Sequence, residues 1–487
     1  MTLFRKLLIV LHRYLGIALC LIFVMWFLTG IAMIYAKAMP TLTPESRLEH
    51  LPLLDFQQIK LRPSEAAQHA QLSGPAPRIS LLTIMGRPAY RFSFPEIVTV
   101  FADTGEVMNP ASPRESLSIA SHFLNLPESR LHHVGVLESP DQWTIGNNSL
   151  MPMHRISADD GAHTELYVSE QSGEVAVVTT RASRALAWVS AIPHWLYLSV
   201  LRTNGRVWNM VVLWISGLGT ALALMGIVLA IIQYSRKPPH IRYAGWMRWH
   251  YITGAIFGVF TLTWVFSGFL SMEPWDWASV GGLGDGMRAA FSGGPLDLAQ
   301  FSGMPSMFPV KGVKEIEFLR IQGDGYYAAK GKSPKSVLVS ADTLSIRDGL
   351  FSTESLVGKA KQANPTVSIT EVAELSSYDS YYYSRDGEAP LPVVRLKFDD
   401  PDKTWFYIDP KLGRILGRYQ KRERLQRWIY HGLHSLDFSF WYYSRPAWDI
   451  GVIVLCAGGA VLSAIGVVIS IRRLRRDVRR IASRKAL

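Results

Sequence analysis

Cysteine is almost absent from this chain: 487 residues hold two, Cys20 and Cys456, and both fall inside apolar runs. A disulfide framework is therefore excluded from the polar regions, and the Cys-x-x-Cys-His signal for covalent haem attachment is missing too. No Walker loop, Rossmann fingerprint, Gly-x-Ser-x-Gly elbow or His-Glu-x-x-His helix occurs. The glycine-rich piece at 281–286 imitates a nucleotide loop, but it follows an apolar run instead of a strand. Histidine is missing from the whole stretch 273–430. No acid–base triad or carboxylate pair stands out.

Apolar sequence and positive charge are abundant, and each has a place. Hydrophobic residues make up 48% of the chain, with four long apolar runs at 16–35, 210–234, 254–272 and 450–471. Each approaches the roughly 20 residues that cross about 30 Å of hydrocarbon as a helix. Two polar stretches between them, about 36–207 and 273–447, are long enough for folded domains. The positive residues Arg5, Lys6, Arg236, Lys237, Arg242 and Arg248 and the tail 472–485 carry a net +13, against +12 for the chain. The positive-inside rule then puts both termini and the 236–249 loop in the cytoplasm and both polar regions outside it. A nucleic-acid protein would spread that charge differently and is excluded. The N-terminal run, with Ala36-Lys37-Ala38 behind it, imitates a signal peptide. It is too long for one, and the run after His250 repeats it.

The chain repeats itself. Thr164-Glu165-Leu166-Tyr167 and Gly173 return as Thr404-Trp405-Phe406-Tyr407 and Gly413, without a gap, 240 residues on. The same offset of 240 carries Arg184 to Arg424, Trp188 to Trp428, His194 to His434, Trp208 to Trp448 and Gly226 to Gly466. At 238, His12 maps to His250, Gly16 to Gly254, Trp26 to Trp264, and Thr29-Gly30 to Ser267-Gly268. Four of the thirteen histidines are paired in this way, all in or beside apolar runs.

An ionisable side chain in a membrane helix is costly and by default a functional candidate. One histidine beside an arginine, as in His12-Arg13, is ordinarily an interfacial residue; recurrence at His250 changes that reading. Neutral imidazole is the ligand of b-type haem, and cofactors of this kind sit between the helices of bundles. Two pairs, His12 with His250 and His194 with His434, would put one haem near each face of the membrane. The gapless register selects His434, whereas aligning Ile192-Pro193-His194 with Ile429-Tyr430-His431 selects His431. The histidines of the first polar stretch (His50, His69, His122, His132, His133, His154, His163) have no such counterparts. His132-His133 with His154 or His163 could form a metal site, but reads more simply as surface histidines on strands. Tryptophans near run ends serve as interface anchors, while Trp26 and Trp264, mid-run and duplicated, suit packing against a macrocycle. The basic tail reads as a topology anchor touching anionic lipid.

The polar stretches show alternating runs ending in turns: 98–106, 167–175, 339–343 and 407–413. Helices should open at Glu115-Ser116-Leu117 and Glu354-Ser355-Leu356. The pattern predicts small α+β units, two per half, with 281–309 as a loop.

His12-Arg13-Tyr14-Leu15-Gly16 through Thr29-Gly30, the Tyr-x-x-x-x-x-Gly hairpins, and Arg184 to Pro193-His194-Trp195-Leu196 resemble the PepSY-associated transmembrane family, iron-regulated inner-membrane proteins of bacteria. The resemblance covers essentially the whole chain. It implies a membrane α-helical fold of four transmembrane helices with internal two-fold duplication and extracytoplasmic α+β PepSY-like domains. In members that reduce siderophores it implies two non-covalent b haems, here held by His12, His250, His194 and His434 or His431. The expected layout is transmembrane helix 1 (1–36), PepSY-like region 1 (37–183), an amphipathic helix with transmembrane helix 2 (184–235) and a cytoplasmic loop (236–249). Transmembrane helix 3 (250–273), PepSY-like region 2 (274–423), an amphipathic helix with transmembrane helix 4 (424–471) and the basic tail (472–487) follow. Some relatives carry a cytoplasmic flavodoxin-like part, which this sequence does not show, so a quinol or cytoplasmic flavoprotein is the expected donor. The expected function is haem-dependent electron transfer across the inner membrane to a periplasmic acceptor, a ferric siderophore. The rival readings are a membrane-anchored PepSY binding or regulatory module, whose histidines only pack, and a small transporter. Against the transporter, the apolar runs lack the interruptions of a midplane site.

Overall fold

The four apolar runs form four helices, Leu3–Tyr35, Gly205–Gln233, Gly245–Ser271 and Ala447–Lys485, each long and apolar enough to cross a membrane. The computed structural model describes residues 3–36, 39–72, 78–94, 96–276, 283–301, 308–332, 335–384 and 389–485. Two units separate: a helical one (Met1–Met39, Ala185–Ser279, Arg422–Leu487) and one with the strands (Pro40–Arg184, Val280–Lys421).

In the helical unit, the first long helix lies along the fourth and the second along the third; the first also meets the second, and the third the fourth. Small residues permit the close approach expected where lipid gives no hydrophobic drive. Gly219 sits under Val265 and Phe23, and Gly459, 240 residues later, under Phe27. The interior is apolar, with Leu19, Phe23, Phe27, Leu222, Trp264, Val265, Val452 and Cys456 in one cluster. Both cysteines are free and buried there. Ahead of the second and fourth long helices lie short broken segments, Arg181–Val189 and Ala191–His194 in one case, Lys421–Arg427, Trp428–Gly432 and Leu433–Ser435 in the other. Both series end at a leucine with left-handed backbone, Leu196 at φ 51° and Leu436 at φ 50°.

The other unit holds three antiparallel sheets. Strands β1 (Arg78–Ile84), β2 (Arg87–Phe94) and β3 (Glu96–Phe101) join β8 (Glu315–Ile321), β9 (Asp324–Lys330), β10 (Val337–Ser340) and β11 (Ile346–Arg347) in a seven-stranded sheet, ordered β11-β10-β9-β8-β1-β2-β3. The seam is β1 against β8, with Leu81 opposite Ile316. Two α+β units per half were expected; the first unit of each half shares this one sheet. The reason is burial, because β1 is covered from Ile79 to Ile84 on both faces and could not serve as an edge. The four-stranded sheets are β4 (Leu131–Leu137), β5 (Met153–Ala158), β6 (Glu165–Ser169), β7 (Val175–Thr179), and β12 (Ile369–Leu375), β13 (Val393–Phe398), β14 (Trp405–Asp409), β15 (Arg414–Tyr419).

Matching words make matching turns. Asp160 takes both the amide and the hydroxyl of Thr164 (2.9 and 2.6 Å), and Asp400 those of Thr404 (2.6 and 2.7 Å). Gly173 and Gly413, at φ 62° and 56°, supply the left-handed residue of each hairpin. The helices Pro113–Leu124 and Thr353–Ala363 start where expected, because Ser112 and Ser352 accept the amides of Glu115 and Ser355. One expectation fails: the stretch 281–309 contains the helix Gly284–Ser292, which buries Met287 and Phe291 in the core. Residues 281, 282 and 302–307 of that stretch, with most of its glycine-rich motif's opening, lie outside the described residues.

Candidate functional site

Two histidine pairs form inside the helical unit. His12, on the first long helix, and His250, on the third, have ring centroids 6.3 Å apart. His194, at the end of Ala191–His194, and His434, in Leu433–Ser435, stand 6.1 Å apart. Thr29, which holds His194, and Ser267, which holds His434, lie seventeen residues beyond His12 and His250 on the same helices. At 1.5 Å per residue the two pairs are about 25 Å apart along the bundle.

The surrounding atoms fix which nitrogen carries the proton. The Nδ1 of His12 lies 3.2 Å from the Leu222 carbonyl, which can only accept, so Nδ1–H donates. The Nδ1 of His250 is buried without a hydrogen-bond partner. In the second pair, His194 Nδ1 is 3.0 Å from Thr29 Oγ1, and His434 Nδ1 is 3.0 Å from Ser267 Oγ and 3.1 Å from the Trp264 carbonyl. The Thr29 and Ser267 hydroxyls spend their own protons on carbonyls of the preceding turn, at 2.8 Å to Met25 and 2.9 Å to Trp264. Their oxygens are thus left to accept. Nδ1–H on His12, His194 and His434 leaves Nε2 as the bare nitrogen of those three rings, the form in which histidine binds a metal. Among the described residues nothing hydrogen-bonds the Nε2 of any of the four.

Glycine makes room at all four rings. A Cβ on Gly226 would come within 3.0 Å of His12 Cε1, on Gly30 within 3.6 Å of His194, on Gly268 within 3.7 Å of His434 and on Gly466 within 3.8 Å of His250. A cavity of about 360 Å³ contains His12 and His250 and runs between the long helices. Two indole nitrogens, Trp26 Nε1 and Trp264 Nε1, are buried without a partner one turn before Thr29 and Ser267.

The structure separates His431 from His434. His434 occupies the place opposite His194, whereas His431 lies in the π-helical turn Trp428–Gly432, its ring against Tyr430. In the gapless register His431 stands where the first half has Ala191, so the second histidine is a substitution within the repeat. A local end-lock holds each of the two histidine segments: Trp208 donates its indole N–H to the Trp195 carbonyl (3.0 Å) and Trp448 to that of Leu436 (3.1 Å).

The histidines of the first polar stretch lie in the other unit. His133 Nε2 and His154 Nδ1 are 2.9 Å apart, and His154 Nε2 meets the Ala111 carbonyl at 2.7 Å. His154 is 1% exposed, so the expectation of a surface histidine is wrong for it: β5 buries that face. His163 takes a left-handed turn position, apart from this pair.

Sequence reasoning named the four histidines but missed what orients them. The Leu222 carbonyl carries no sequence signal. The Thr29-Gly30 and Ser267-Gly268 words and the Gly226/Gly466 match did carry one, as small or hydroxylic residues repeated at the histidine offsets. No protein-family model matches this chain, and no curated protein matches it.

Proposed function

We propose that this chain is a di-haem b electron-transfer protein of the bacterial inner membrane, of the PepSY-associated kind. In this reading a duplicated sequence is arranged with two-fold symmetry. His12 and His250 hold one haem near the cytoplasmic face, and His194 and His434 hold the other near the periplasmic face. Ferric iron in a siderophore is the acceptor, and a quinol or cytoplasmic flavoprotein the donor.

The observation that carries the reading is the spacing within each pair. Imidazole nitrogen sits about 2.0–2.1 Å from a bound metal, and the ring centre lies about 1.1 Å behind it for ring bonds near 1.35 Å. Two imidazoles that shared one metal would therefore have centroids no more than about 6.3 Å apart; the two pairs here stand at 6.3 and 6.1 Å. The residues present fit the group in two further ways. Three of the rings, His12, His194 and His434, are held through Nδ1, and Gly226 gives the His12 ring room that a Cβ would take.

Bound haem supplies reversible one-electron chemistry at both ends of the bundle. The chain's own part is to hold the Nδ1 protons of His12, His194 and His434, exclude water with the aromatic and aliphatic middle of the bundle, and keep two coordinating pairs about 25 Å apart. Iron release asks for nothing more elaborate, since one electron converts ferric to ferrous iron, which hard-oxygen chelators hold far less tightly. The positive loops and tail support cytoplasmic termini.

The test is the visible spectrum of the detergent-purified protein, oxidised and dithionite-reduced, with haem quantified per chain. Two low-spin b haems per chain are expected. A colourless protein expressed with haem available would refute the reading and leave the histidines as packing residues of a membrane-anchored binding module.

A further inference from the structure

The cavity around His12 and His250 is apolar along most of its length and cationic at one end. Its lining on the fourth long helix is a single face that runs from Leu462 and Ser463 through Gly466 and Ser470 to Arg473 and Arg476. Arg473 follows Gly466, which abuts His250, by two turns, or about 10 Å. Arg13, next to His12 in sequence, lines the same cavity. Arg13 and Arg476 are exposed and Arg473 half-buried, so these guanidinium groups stand at the mouth.

Two other polar residues at that end, Gln233 and Tyr251, are committed. Gln233 accepts from Arg5 at 2.6 Å, and Tyr251 donates to the Ala230 carbonyl at 2.7 Å. Arg473 shares Asp477 at 3.0 Å, while Arg13 and Arg476 make no ion pair among the described residues. The cavity thus suits a ligand with a broad apolar body, a coordinating centre between two imidazoles, and negative groups at one edge only. Guanidinium is the side chain that grips a carboxylate through paired N–H donors.

We infer that Arg13, Arg473 and Arg476 form a carboxylate-binding mouth, which orients the group held by His12 and His250 with its acid side arms toward the Arg473 end of the cavity. The inference rests on the di-haem reading. The two half-buried imidazoles fix the ligand's centre but not its rotation about the His12–His250 axis; the arginines fix that rotation. They are positioning residues, and their effect shows in which ligand is accepted. An anionic lipid phosphate is the other source of negative charge at such a mouth, and it would be indifferent to the acids of the bound group.

The experiment uses full-length His194→Ala protein, which keeps only the His12–His250 pair, purified without haem. It is titrated with ferric protohaem and with protohaem dimethyl ester, and the low-spin Soret band is followed. Protohaem is expected to bind about tenfold more tightly than its ester, the effect of losing a charge-assisted contact. Adding Arg13→Gln, Arg473→Gln and Arg476→Gln together should abolish that preference while leaving ester binding unchanged. Equal affinity for protohaem and ester in the protein with all its arginines overturns the carboxylate mouth and points to lipid phosphate, without touching the di-haem reading. No low-spin haem from either titrant overturns both. The comparison of two ligands on one protein stands even if the arginine variants fail to insert.

Discussion

Gly226 lies against His12 so closely that a Cβ there would come within 3.0 Å of the imidazole Cε1. The contact joins two helices, and the helix backbone cannot retreat without losing its packing against the third. A methyl at this point must therefore push the ring. Gly226→Ala should lower haem content toward one per chain or convert one haem to a high-spin spectrum. Gly466→Ala, where the matching distance to His250 is 3.8 Å, should keep two haems with a small spectral shift. Equal effects from the two substitutions would show that ring crowding is not what the glycine at 226 prevents.

The choice between His431 and His434 can be read from haem content. His434 faces His194 at 6.1 Å and has its Nδ1 held by Ser267 and the Trp264 carbonyl. His431→Ala should retain two haems per chain, whereas His434→Ala should retain one. Loss of a haem on His431→Ala with His434→Ala unaffected would reverse the assignment.

The membrane helices were legible because their signal is length and apolarity, which need no partner to be read. The histidine pairs were legible because the repeat picked four out of thirteen. The Thr164 and Thr404 hairpins were equally plain, since Asp, Thr and Gly make those turns by local chemistry. Contacts between distant segments left no such trace. Nothing local says that β1 pairs with β8 across about half the chain, because an apolar alternating strand is the same whether its neighbour comes from its own half or the other. The helix Gly284–Ser292 hid behind glycines that count against helix, and burial of Met287 and Phe291 overrode that propensity. His154 looked like a surface histidine because its strand's inward face depends on a register no single strand reveals.

Thr29 and Ser267 play one role for two rings, and on the di-haem reading proposed above their removal should act on one haem only. Each hydroxyl accepts the Nδ1 proton of a histidine at 3.0 Å. Losing that acceptor weakens the pull on the proton and makes the imidazole a poorer electron donor to its metal. Thr29→Val and Ser267→Ala should each raise the midpoint potential of the haem at His194–His434 and leave that at His12–His250 where it was. Thr29→Ser should restore the original value, since it returns the hydroxyl. A redox titration followed in the visible bands checks this; both potentials moving together, or neither, would count against the assigned hydrogen bonds.

The strand-bearing unit should show its own pH dependence through Arg47. Arg47 bridges Glu174 (2.8 Å) and Glu315 (3.0 Å), and Arg91 binds Glu174 as well. Burial works to raise the Glu315 carboxyl, but Arg47, with Lys330 and Arg78, outweighs it and holds that group below its ordinary range. A carboxylate depressed in the folded state contributes stability above its unfolded pKa, near 4.3, and loses it as pH falls through the folded value. Arg47→Met leaves two partly buried carboxylates short of a cation and should cost about 2 kcal/mol at neutral pH. The cost should shrink steadily below about pH 4, where protonation removes the charges that Arg47 served. Urea unfolding of the full-length protein in detergent, followed by tryptophan fluorescence at pH 7 and at pH 3.5, gives both numbers. A difference between parent and variant that stays the same at the two pH values would mean that Arg47 acts through packing of its stem, and that the ion pairs with Glu174 and Glu315 contribute little.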